Sequence, residues 1–157
     1  MKIGGLYGQI IYESLDNVWY HGSNNRFNEF ENSNNRTYKE IDVPSWFFTK
    51  DLTYAKSYGK YIYTVKLLIQ NIFDTNNQNH MGMFINQLKE WNYSSKKIDE
   101  ILSDEFVDGL PYWTCNDAIY VAAMNKFDSI YVQEELERDV LAVSVFDNTK
   151  IKILSIN

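Results

Sequence analysis

The run KYIYTVKLLIQ, residues 60–70, sets Tyr61, Tyr63, Val65 and Leu67 at alternate positions before the sequence turns continuously apolar. A period of two places those four side chains on one face of an extended strand. The fold must therefore contain a sheet. Further short β-rich runs share it: VWYHGS ending at a Gly-Ser-Asn-Asn turn, the aromatic SWFFT, and late in the chain DSIYV, VLAVSVFD and TKIKILSI. From Met81 to Glu105 the period becomes helical. Met83, Phe84, Leu88 and Trp91 share one face, and Ile98, Ile101 and Leu102 form a second. TCNDAIYVAAMNKF reads as another helix, capped by Asn116 or Asp117. KDLTYAKSYG reads as a short one, with Asp51 at its start, Gly59 at its stop, and Leu52, Ala55 and Tyr58 facing inward. The polar run RFNEFENSNNRTYKEIDVP reads as a surface loop anchored by Phe27 and Phe30 and closed by Pro44. Together these predict one α+β domain over residues 1–157, with helices inserted among mainly antiparallel strands.

Several function classes fall away on composition. No stretch reaches the roughly 18 apolar residues of a membrane span, and the N-terminal MKIGGLYGQIIYESLDN lacks the apolar core of a secretory signal. A lone cysteine, Cys115, excludes an internal disulfide and points to the cytoplasm. The net charge of −6 argues against a general nucleic-acid binder. There is no Gly-rich phosphate loop, no G-x-S-x-G elbow and no Cys/His cluster at metal spacing, so no metal is expected. The pair Cys115 and His80 has no catalytic context, and reads as a buried thiol and a solvated imidazole.

Three segments remain, each where a strand gives way to loop or helix: YHGS, SWFFTKDLTYAKSYG, and SIYVQEELERD. Singly each has an ordinary structural reading: a polar strand end, an aromatic core, a solvated acidic face. Their order and spacing together resemble the ADP-ribosyltransferase superfamily of the His-aromatic-Glu type. YHGS is similar to that family's His-Gly-Ser/Thr. WFFTKDLTYAKSYG is similar to its aromatic strand-helix segment, with Tyr58 eleven residues after Phe47. QEE fits its Gln-x-Glu acidic motif. The resemblance covers about residues 18–153 apart from a helical insert at about 77–112. The layout is also similar to short phage members of the superfamily, including an anti-CRISPR ADP-ribosyltransferase. The chain departs from the pattern in three ways. Phe47 stands where many diverged members have a second Tyr, the acids Glu134 and Glu135 are consecutive, and VLAVSVF carries no acid where some relatives place theirs.

The resemblance implies a split, mainly antiparallel β core with peripheral helices, wrapped around NAD⁺ as co-substrate. Cleavage of the nicotinamide–ribose bond builds positive charge on the ribose, which a carboxylate stabilises. Glu135 or Glu134 would be that catalytic group. Gln133, two residues before Glu135 and positioning the acceptor, favours Glu135. Tyr58 would stack on nicotinamide beside Phe47, His21 would donate to a ribose hydroxyl, and the Gly22 backbone would hold the carboxamide. Ser23 would add a donor, and Arg26 would face the pyrophosphate. The expected product is mono-ADP-ribosylation of a target protein by a phage or bacterial effector acting in the cytosol on a host or defence component. NAD⁺ hydrolysis, transfer to a nucleic acid or small molecule, and a non-catalytic protein-binding inhibitor of the same fold are the alternatives. The helical insert reads either as a target-recognition element or as a lid completing the core.

Overall fold

The computed structural model describes residues 17–31, 35–39, 41–134 and 140–157. Chain order is β1 (Val18–Ser23), β2 (Asn35–Tyr38), β3 (Ile41–Pro44), β4 (Trp46–Thr49), α1 (Leu52–Lys56), β5 (Tyr61–Leu67), β6 (Ile72–Phe73), α2 (Gln78–Glu90) and α3 (Ser95–Asp104). It continues with β7 (Phe106–Val107), β8 (Leu110–Pro111), α4 (Asn116–Met124), β9 (Ser129–Gln133), β10 (Leu141–Val145) and β11 (Ile151–Ile156). Seven strands form one sheet in the order β11-β5-β1-β4-β10-β9-β6. Every neighbouring pair is antiparallel except β6 and β9. The class is the expected one, a mostly antiparallel sheet with helices, four among the described residues.

The alternation in β5 explains one core. Tyr63, Val65 and Leu67 are all but fully buried, and they meet Trp19, Phe48, Val143 and Val145 from neighbouring strands. The second core lies where Phe73, Ile130, Val132 and Ala142 face Phe84 and Leu88 of α2, Ile98 and Ile101 of α3, and the apolar length of α4. Each such side chain contributes about 1.5–3 kcal/mol by leaving water. The helical insert is thus part of the packed interior. Among the described residues no helix is long and apolar enough to cross a membrane.

Local chemistry sets where α1 begins. Asp51 is extended, and its carboxylate accepts from the Tyr54 N–H at 2.9 Å, a side-chain N-cap. Replacing it by Asp51→Ala should cost about 1 kcal/mol, read as a lower urea midpoint with an unchanged slope.

Four local expectations give way. The polar run after β1 contains a hairpin, β2–β3, because Tyr38 anchors it: its phenol donates to Asp117 and lies 3.0 Å from the Tyr93 hydroxyl. Lys39 turns the corner in the left-handed region (φ 47°), its ammonium 4.6 Å from the centre of the Trp91 ring. Phe30 is buried, and Phe27 stacks on Tyr63 with ring centres 4.2 Å apart, so this run covers the first core. In α1 the inward residues are Tyr54 and Ala55, whereas Leu52 and Tyr58 are substantially exposed, because the helix ends at Lys56. Helix α4 starts at Cys115 with no side-chain cap, and Asp117 is spent on the Tyr38 and Tyr93 phenols. His80 is part-buried rather than free in a loop. It lies on α2, stacks on Phe73 at 5.1 Å and accepts from the Asp74 N–H.

Candidate active site

Strands β1 and β4 share a single registered pair, Tyr20 with Thr49. Continuing that register would set Gly22 opposite Phe47, but the strands part, and the sheet is split there. The His21 ring bridges the gap, with Nδ1 2.8 Å from the Phe47 carbonyl oxygen. A carbonyl only accepts, so Nδ1 carries the proton. Phe30 and Trp46 meet the ring edge-on, with centres at 5.3 and 5.6 Å. Burial holds the imidazole below the ordinary histidine range, against the opposing pull of the Phe47 bond. The neutral ring therefore offers Nε2 as an acceptor.

The depressed value has a consequence for stability. As pH falls below about 6.5, the unfolded chain takes up a proton that folded His21 resists. The His21 contribution is complete above that pH and is lost on descending through the window below it. Thermal scans from pH 8 to pH 5 should show a steeper acid decline for the wild type than for His21→Asn.

Helix α1 lies directly on β1. A Cβ at Gly22 would stand 1.9 Å from the Ala55 carbonyl oxygen, and one at Gly59 would stand 2.1 Å from the Ser23 carbonyl carbon. The two glycines thus let α1 and its following turn press against the strand, which carries Tyr54 and Tyr58 to the mouth of the split. The result is a cavity of about 170 Å³ whose lining includes His21, Gly22, Phe47, Tyr58, Trp113 and Glu134. Phe47 and Trp113 meet edge-on, ring centres 6.0 Å apart.

Glu134 follows the last residue of β9 and is 5% exposed. The Tyr54 hydroxyl donates to its Oε2 at 2.9 Å, and the Tyr58 hydroxyl lies 2.7 Å from that of Tyr54. A phenol has one proton. With that of Tyr54 given to the carboxylate, Tyr58 donates to the Tyr54 oxygen. Desolvation pushes the Glu134 carboxyl above the usual range, and the Tyr54 bond works against it. The Tyr54 phenol is pushed far up, by burial first and then by its bonds to Tyr58 and Glu134. Arrangement and chemistry are consistent: a poorly hydrated carboxylate, walled by aromatic rings, is suited to stabilising a cation formed beside it.

Of the residues singled out from the sequence, His21, Gly22, Phe47, Tyr58 and Glu134 converge on this cavity. Ser23 and Arg26 do not line it. The Ser23 hydroxyl accepts from the Asn25 N–H in the turn after β1, and Arg26 is exposed with Asn28 at 3.5 Å. Gln133 is buried beside Glu134 but is not among the lining residues, since adjacent positions of an extended chain face opposite ways. Its Nε2 has no hydrogen-bond partner among the described residues. Glu135 lies outside the described residues. Two lining residues have no signal in the sequence pattern. Tyr54 reads as off the inward face, and Trp113 is brought to the site by contacts that include its backbone N–H, which donates to the Gln133 carbonyl at 3.1 Å. Among the described residues no group of His, Cys, Asp or Glu is placed to hold a metal ion.

A family model described as ADP-ribosyltransferase in polyvalent proteins matches residues 16–157. The chain belongs to this family. The match takes in both edges of the split, from β1 through Glu134 to β11, so the ADP-ribosyltransferase domain includes the whole cavity. No curated protein matches the chain. Among solved structures it is similar to one described as the crystal structure of an anti-CRISPR protein, with TM-score 0.52 and 12% identity over 87% of this chain and 92% of that one. At that identity the likeness shows that the ADP-ribosyltransferase domain shares its fold.

Proposed function

We propose that this domain is a mono-ADP-ribosyltransferase that cleaves NAD⁺ at the nicotinamide–ribose bond and passes ADP-ribose to a target protein. One observation carries the reading: in a chain of this family, the buried carboxylate of Glu134 faces an aromatic-walled cavity at the split of the sheet. In the reaction the C–N bond between ribose and nicotinamide breaks and its electron pair leaves with the ring. Positive charge grows on the ribose, and the Glu134 carboxylate stabilises it at short range in a site of low polarity. The acceptor then bonds to the ribose carbon and loses its proton. Nicotinamide is a good leaving group, so no strong general acid is needed, which agrees with a site whose one histidine is held neutral.

Position supports the remaining roles. Tyr58 and Phe47 offer faces to the nicotinamide ring, with Trp113 closing the wall beyond Phe47. Gly22 presents backbone to the carboxamide, and neutral His21 receives a ribose hydroxyl at Nε2. Glu135 is the alternative carboxylate by sequence, and Gln133, Ser23 and Arg26 are held in reserve for the acceptor and the pyrophosphate. The similarity to an anti-CRISPR protein supports an effector of phage or bacterial origin, acting in the cytosol against a defence component. Incubation with NAD⁺ labelled in its adenylate half and a bacterial lysate should move label into a protein band. Label appearing only as free ADP-ribose would mean hydrolysis, and label in nucleic acid would mean a different acceptor. Intact NAD⁺ together with a stably bound partner would mean a non-catalytic inhibitor.

A further inference from the structure

We propose that Tyr54 is a positioning residue for Glu134: its hydroxyl, fixed at 2.9 Å from Oε2 and backed by the Tyr58 hydroxyl at 2.7 Å, orients the carboxylate into the cavity and keeps it charged there. This rests on the reading of Glu134 as the charge-stabilising group. Tyr54 is 4% exposed, and its helix is locked at both ends, by the Asp51 cap and by the close approach of Gly22 and Gly59 to α1 and its turn. The phenol therefore has little freedom to point elsewhere. A carboxylate so deeply buried without a donor is better off protonated, and a protonated acid cannot stabilise a cation. The bond from Tyr54 counters that.

The relay also has a direction. Tyr58 donates to Tyr54 and Tyr54 donates to Glu134, so the ring exposed at the cavity mouth is tied through two hydroxyls to the buried charge. Polarisation along such a chain strengthens the terminal bond to the carboxylate. A ligand stacked on Tyr58 would thereby hold the relay in register. Around the cavity the titratable groups on the described residues are Tyr20 and His21 of β1, Tyr54 and Tyr58 of α1 and its turn, and Glu134 itself. His21 is neutral and donates to Phe47, which leaves Tyr54 as the donor bonded to Glu134.

The test is a carbon-13 titration of the glutamate carboxyls, with the Glu134 resonance assigned by its loss in Glu134→Gln. Removing a hydrogen bond to a charged acceptor should raise the Glu134 midpoint in Tyr54→Phe by about one pH unit. Tyr58→Phe should raise it by less. An unchanged midpoint in a folded Tyr54→Phe overturns the proposal. Should Tyr54→Phe fail to fold, Tyr58→Phe decides: a rise supports the relay and no change overturns it. NAD⁺ cleavage gives the second readout. In Tyr54→Phe its acid limb should move to higher pH by about the same unit, so the loss is largest on the acid side, up to about tenfold, and recovers as pH rises. A loss equal at every pH is structural and counts against the proposal. The two readings fail separately, because full cleavage by Glu134→Gln would remove the functional role while the titration still judges the bond.

Discussion

Glu134→Gln should lower NAD⁺ cleavage by about 10²–10³-fold, the usual loss when one electrostatic stabiliser is removed from a transition state. The substitution keeps the shape, and its carbonyl still accepts from Tyr54, so little else changes. Stability should respond in the opposite sense. Burial raises the folded-state value of this carboxyl, so the folded protein holds a proton that the unfolded chain has already released. Between the ordinary glutamate value, about 4.3, and the raised one, stability falls as pH rises. Above both values the full penalty of the buried charge remains. Glutamine carries no such charge, and Glu134→Gln should melt at or above the wild-type temperature near pH 7. Activity down with stability kept or gained is the signature of a charge held for function. Glu135→Gln, measured beside it, should leave cleavage near wild type. If the large loss falls on Glu135→Gln, the carboxylate is misassigned.

The second large effect is expected at Gly22→Ala. An added Cβ would meet the Ala55 carbonyl oxygen at 1.9 Å and the Tyr58 Cβ at 3.1 Å, and the first of these is backbone that no rotamer change can move. Helix α1 must shift outward or β1 must bend. Forced overpacking of this kind costs about 1–3 kcal/mol, and a backbone obstacle belongs at the upper end. For a chain of this size that corresponds to a fall in melting temperature of roughly 6–12 °C. Cleavage should fall as well, because α1 and the turn after it carry the two phenols of the relay. A Gly22→Ala variant that melts like the wild type would mean that α1 does not sit on β1 as described.

Much of this was legible because the decisive features are local. Tyr61, Tyr63, Val65 and Leu67 alternate, and the strand they predict is the one against which β1 and β11 pair. Histidine at the end of one short aromatic run, and Asp51 at the start of a helix just after another, belong to the segments that meet at the split. What escaped depends on contacts between distant segments. The β2–β3 hairpin hides in a polar run because what holds it, the Tyr38 phenol on Asp117, spans 79 residues. Tyr54 reads as outward if α1 is extended to Tyr58, yet the helix stops at Lys56 and turns that face to Glu134. The choice between Glu134 and Glu135 looked like a matter of spacing from Gln133. Glu134 lines the cavity, and Glu135 lies outside the described residues. The donor sense of His21 was equally hidden, since only the parting of β1 from β4 frees the Phe47 carbonyl to claim Nδ1.

On the proposed function, NAD⁺ is opened in this cleft and its ADP-ribose is delivered to a protein. Intact-mass spectrometry of bacterial defence proteins, incubated with the domain and NAD⁺, tests it most directly. The expected result is a mass gain of one ADP-ribose unit on a target, absent with Glu134→Gln. Unchanged target masses with NAD⁺ left intact would contradict it.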